Sequence, residues 1–174
     1  MSRLSEHPTV KRHREKAVAP APETSSLDAS WLREVALAAG ADDVGFVGVE
    51  RADIAAEYQD IRSLFPETRT LLSFVCRMNR ENVRSPARSL ANLEFHHTGD
   101  HVNDVARRIV SALERRGVRA VNPAMGFPME MDRFPDKIWT VSHKPIAVAA
   151  GLGHMGLHRN VIHPVFGNFI LLGT

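Results

Sequence analysis

The stretch Thr70-Leu71-Leu72-Ser73-Phe74-Val75-Cys76 is mostly continuous in apolar character rather than apolar at every second position. A strand with one wet face alternates, so a run of this kind belongs in a sheet covered on both faces. Other elements must therefore supply a layer above it and a layer below it.

Segments with helical period flank the run on both sides. Asp28 or Ser30 can cap a helix in which Leu32, Val35, Ala36 and Ala39 recur at helical spacing up to Gly40, with Trp31 in its first turn. Val44-Gly45-Phe46-Val47-Gly48-Val49 reads as a short buried strand, and residues 53–65 as a helix stopped by Pro66. A polar loop is expected over 79–86. A long helix should follow, with Val102, Val105, Ala106, Ile109, Val110 and Leu113 on its core stripe and its end at Gly117. Val118-Arg119-Ala120-Val121 reads as a strand and 122–136 as a Pro- and Met-rich loop. Residues 142–150 should be a helix with Pro145 in its first turn, and 168–174 a closing strand. This alternation implies an α/β (α+β) domain spanning 27–174.

With 174 residues, 44% hydrophobic and 24% charged, the chain can bury one core. Net charge is +2 with a pI near 9.0, and the basic residues are scattered or concentrated in the leading segment, which argues against a nucleic-acid stripe. Residues 1–26 carry Lys11, Arg12, His13, Arg14 and Lys16 without an apolar h-region, so a disordered basic tail is expected and a secretory signal is not. Cys76 has no second cysteine to pair with, and no apolar run approaches the roughly 20 residues that cross a bilayer. A cytoplasmic protein with no membrane partner is the expectation. The chain stops on an apolar strand, which suggests the first part of a longer protein.

Three groups of residues could carry chemistry. His97 and His101, with His96 beside them, would share a helical face with Val105 and Ile109 and so point inward, as a cleft histidine or half of a metal site would. Met125, Met129 and Met131 could wall an apolar ligand. The densest group is Ala149-Ala150-Gly151-Leu152-Gly153-His154-Met155-Gly156-Leu157-His158-Arg159-Asn160-Val161-Ile162. Its glycines allow sharp turns or close approach to a flat ligand. The letters of a dinucleotide fingerprint are present at 151–156, but a helical run precedes them where a strand is required. His154, His158 and His163 form no set with metal-ligand spacing, and no metal ligand or catalytic residue is assigned.

This segment, with Phe166-Gly167-Asn168-Phe169 and Leu171-Leu172-Gly173 after it, resembles the AGLGxxGxxxxxI…FGsxxxLG region of epoxyqueuosine reductases and corrinoid-dependent reductive dehalogenases. The resemblance implies a nitroreductase-like cobalamin-binding domain, followed in such proteins by a ferredoxin-like domain with two 4Fe-4S clusters. It places Gly151, Gly153 and Gly156 on the loop against the corrin, Val161 and Ile162 on an apolar wall, and Leu152, His154, Leu157 and Asn160 beside them. Two positions depart from the pattern: His154 stands where an aromatic is frequent and Leu157 where a basic residue is. Asp136 lies near, but out of register with, the catalytic aspartate, and the cluster cysteines are not within this sequence. The implied function is a cobalamin-dependent iron-sulfur reductase acting on a small molecule or modified nucleoside. An electron-donor protein or ferredoxin-like domain would supply electrons, and a homodimer is compatible with such a fold. A non-catalytic binding or interaction domain that keeps the fold is the alternative, and a flavin-dependent reductase is a third.

Overall fold

The computed structural model describes residues 26–126 and 140–174. The expected basic tail to residue 25, Met129, Met131 and Asp136 lie outside the described residues. Helix α1 (Ala29–Ala39) starts where the Asp28 carboxylate accepts the Trp31 N–H and leads into strand β1 (Asp43–Gly48). A 3-10 turn (Ala52–Glu57) runs into α2 (Tyr58–Leu64), and β2 (Thr70–Arg77) follows. Then come α3 (Arg80–Arg84), the long α4 (Arg88–Glu114) and α5 (His143–Ala149). Two-residue strands β3 (His154–Met155) and β4 (Val161–Ile162) form a hairpin, and β5 (Ile170–Gly173) ends the series.

The main sheet of this α+β arrangement is antiparallel, with β2 in the centre and β1 and β5 at its sides. Alternate residues of β2 serve different layers. Phe74 and Cys76 face α1 and α4, where they join Ala36, Val102, Val105 and Ile109. Leu71 packs on the other side with Ile54, Ile61 and Ile146, and Val75 with Ala147, Leu152, Val161 and Ile170. The mostly apolar run thus has cover on both faces, as its composition requires.

Several expectations change in the folded chain. Val118-Arg119-Ala120-Val121 is not a strand: the Val118 N–H donates to Leu113 O at 3.1 Å, so the chain turns back over the end of α4 without reaching a sheet edge. The polar 79–86 segment contains α3, because Glu94 of α4 accepts the Asn79 N–H at 2.7 Å and so anchors the start of that helix. The 53–65 helix is two pieces, and Phe65 is extended (φ −143°, ψ 91°) because Pro66 follows it. His97 and His101 lie within α4 but are exposed. The buried line runs through Glu94, Thr98, Val102, Val105, Ile109 and Leu113, one position away from both histidines and hence about 100° around the helix.

Ile146 is fully buried between β2 and the 3-10 turn. Ile146→Ala should cost about 2–5 kcal/mol of unfolding free energy. Urea unfolding checks this through a lowered midpoint at unchanged slope.

Candidate functional site

The glycine segment begins as the end of a helix. After α5 the Leu152 N–H donates to Ala147 O and the Gly151 N–H to Val148 O, both at 3.0 Å, which closes a Schellman turn. Gly151 takes φ +82° in that turn, a conformation that costs a side-chain-bearing residue roughly 1–2 kcal/mol. Leu152 then dives into the core beside Ala147. The chain emerges as the β3–β4 hairpin, with His154 opposite Ile162 and Met155 opposite Val161.

Gly153 is a contact residue of this hairpin. A Cβ there would stand 2.3 Å from Ile162 O and 3.0 Å from Val161 Cγ1, so glycine is required by the chain's own backbone. A Cβ on Gly156 would meet the His158 ring at 2.4 Å. A Cβ on Gly151 would meet nothing within 4 Å.

Lys144, from the first turn of α5, holds the loop between the strands. Its Nζ donates to Arg159 O at 3.0 Å and to Asn160 Oδ1 at 2.9 Å. Inside the loop the Gly156 N–H donates to Asn160 O and the Arg159 N–H to Gly156 O, both at 2.9 Å. Arg159 has φ +61°, and the Lys144 bond to its carbonyl helps hold that left-handed geometry.

The expected site residues therefore separate into distinct positions. Leu152 and Val161 are core, Ile162 is half-buried, and Gly153 and Gly156 close the hairpin. Gly151, His154 and Leu157 face outward, and Asn160 is held by Lys144. Met155 is exposed beside them, and Leu157 at the loop tip has no cover at all. Lys144 had a sequence signal only in its helical spacing ahead of the glycines. Two open clefts of about 480 and 370 Å³ are lined by residues 65, 114 and 117–121 and by residues 49–51, 55, 58 and 59, none of them in this hairpin.

A second constellation ties the following residues to β1. The His163 Nε2–H donates to Asp43 Oδ2 at 3.1 Å, while Nδ1 accepts the N–H groups of Val165 (3.1 Å) and Phe166 (3.3 Å). These partners assign the Nε2–H tautomer and use both ring nitrogens, so His163 has none left for proton transfer. Phe166 stacks on the ring at 4.7 Å, and Arg33 donates to Asp43 Oδ1 at 2.8 Å. Burial alone would raise the Asp43 carboxyl, but hydrogen bonds from His163, the Val44 N–H and Arg33 hold it below the ordinary carboxylate range. Its partner lies 120 residues away, a pairing with no local sequence signal.

Several other titratable groups are held by the fold. The Asn79 N–H, opposed by burial and helped by Asn79, Asn82 and Thr98 side chains, lowers the Glu94 carboxyl. Burial pushes the Cys76 thiol up to about 12, far from thiolate reactivity at neutral pH. The His101 ring bonds Gly40 O at 3.1 Å. Buried His143 contacts Thr174 Oγ1 through Nδ1 at 3.0 Å, and its Nε2 has no hydrogen-bond partner. Burial pushes its pKa down to about 4 against a smaller opposing pull from the Ala124 backbone.

Among the described residues no three His, Cys, Asp or Glu side chains are placed to hold a metal. No helix among them is long and apolar enough to cross a membrane. Gly151, Met155 and Leu157 are exposed and so would be open to a flat corrin, whereas the Cβ space at Gly153 and Gly156 is filled by the protein itself. A corrin placed here would meet outward side chains and the Gly151 backbone. Compared with known proteins, the sequence matches no family model and no curated protein.

Two outcomes follow from this geometry. Gly153→Ala should cost about 1–3 kcal/mol by overpacking the hairpin, seen as a lowered melting midpoint. His143 is neutral when folded and titrates near its ordinary 6.5 when unfolded. Its contribution to stability is therefore full above pH 6.5 and declines as pH falls toward 4. Urea midpoints measured across that window should fall with acidity, and His143→Phe should flatten the decline.

Proposed function

We propose that this chain is the cobalamin-binding part of an iron-sulfur reductase similar to epoxyqueuosine reductases and corrinoid-dependent reductive dehalogenases, built on a nitroreductase-like fold. The observation that carries the reading is the 151–162 motif folded into a latched hairpin that holds Met155 and Leu157 in solvent. Exposed apolar side chains on a constrained loop are a ready surface for a flat ligand with apolar edges.

In this reading Met155 and Leu157 cover the macrocycle, the open backbone at Gly151 allows close approach, and Lys144 keeps the loop in place through Arg159 and Asn160. Bound cobalamin would supply low-valent cobalt chemistry that removes oxygen or halogen from a small molecule or modified nucleoside. Electrons would come from 4Fe-4S clusters in a ferredoxin-like domain or a donor protein.

A second reading, a binding domain without catalysis, draws on the commitment of Asp43, Glu94 and His163 to structural hydrogen bonds and on the unreactive Cys76. A flavin reductase is separated from both by flavin fluorescence in the purified protein.

Titration of the chain with cob(II)alamin should give a saturable change in its visible spectrum. Leu157→Asp and Met155→Asp alter exposed positions and leave the core alone, and each should weaken binding about tenfold, the effect of some 1.4 kcal/mol. A flat titration of folded protein at high micromolar cobalamin would overturn the corrinoid reading.

A further inference from the structure

Four surface arginines are neutralised by a carboxylate. Arg33 meets Asp43 at 2.8 Å, Arg51 meets Asp53 at 2.6 Å, Arg62 meets Glu50 at 3.8 Å, and Arg119 meets Glu67. Arg77, Arg80 and Arg84 are exposed and differ: among the described residues no carboxylate lies within ion-pair reach of them. The acids nearest in the chain are otherwise placed. Asp42 accepts the Arg77 backbone N–H at 2.7 Å, and Glu94 is surrounded by Asn79, Asn82 and Thr98. Glu81 is exposed on the same short helix and pairs with none of the three.

The three cations lie beside rings, as Arg62, Arg116 and Arg119 also do beside Tyr58, Trp31 and Phe65. Arg80 and Arg84 lie 5.6 and 5.3 Å from the same Phe169 ring, and Arg77 lies 5.7 Å from Phe166. Arg80 and Arg84 are four residues apart in α3, a spacing at which like charges oppose each other. A guanidinium attracted to the face of a ring keeps N–H groups that can donate to a ligand. Two such forks around one ring suit an oxyanion with more than two acceptor oxygens, which both can share and which removes their repulsion.

We propose that Arg80 and Arg84 on Phe169, flanked by Arg77 on Phe166, form a clamp for a phosphate group carried by a small molecule. The clamp borders the hairpin, since Asn168, next to Phe169, reaches His158 at 3.5 Å. The phosphate has two sources: the nucleotide tail of a cobalamin lying on the hairpin, or a separate phosphorylated ligand. Only the first source rests on the corrinoid reading.

Calorimetric titration of the purified chain with inorganic pyrophosphate tests the clamp. Saturable binding is expected, at least tenfold weaker in the Arg80→Gln/Arg84→Gln double variant and intermediate in Arg84→Lys, which keeps the charge and loses the fork. Arg107→Gln, an exposed change on α4, removes one charge elsewhere and should leave binding unchanged. Circular dichroism verifies that each variant is folded. No binding by folded native protein, or an equal loss in Arg107→Gln, would overturn the proposal.

Cobalamin and cobinamide, which lacks the phosphate-bearing tail, distinguish the sources. Weakening of cobalamin but not cobinamide in the double variant assigns the clamp to the tail. Equal behaviour of the two corrinoids, with pyrophosphate binding lost in the double variant, assigns it to a separate ligand. If neither corrinoid binds, the pyrophosphate arm alone decides the clamp, and the corrinoid reading fails independently.

Discussion

Burial of both faces of β2 is the constraint on which the molecule is built. Phe74 and Cys76 require α1 and α4 on one side, while Leu71 and Val75 require α5, the 3-10 turn and the hairpin segment on the other. With Val75 and Cys76 fully buried, no solvent-facing side is left for the strand. Placing β2 between β1 and β5 also satisfies its backbone donors and acceptors in two antiparallel ladders. The layers are therefore consequences of hiding one apolar strand, and the glycine segment is carried to the surface by the layer containing α5.

That segment shows how a rigid surface feature is obtained from a short stretch of chain. The Schellman turn ends α5, Leu152 and Val161 anchor the base of the hairpin in the core, and Lys144 ties down its loop from outside. Held at both ends, the loop keeps Met155 and Leu157 in water on a backbone that is already ordered. Preorganisation of this kind favours binding because the ordering entropy has already been lost on folding.

Polar groups follow a complementary division. Where carboxylates are withdrawn from solvent they are saturated: Asp43 by His163, Arg33 and the Val44 N–H, and Glu94 by Asn79, Asn82 and Thr98. Their work is to pin β1 to the segment after the hairpin and α3 to α4, and a saturated carboxylate is a poor acid or base. The arginines along Phe166 and Phe169 are the reverse case, charged and ordered but unneutralised.

Local pattern determined much of this fold. The cap at Asp28, the break before Pro66, the stripe through Val102, Val105, Ile109 and Leu113, and the two-faced character of Thr70–Arg77 all depend on neighbours within one or two turns, and such information lies in a single sequence. The glycine segment was legible as a place of special backbone for the same reason. Tertiary structure decided the rest, because it depends on groups far apart in the chain. The antiparallel pairing, the bond between His163 and Asp43, and the exposure of His97 and His101 follow from where the layers meet. Whether Gly153 serves a ligand or the Ile162 carbonyl is likewise a matter of which atom fills a space of a few ångströms, and only the folded chain puts that carbonyl there.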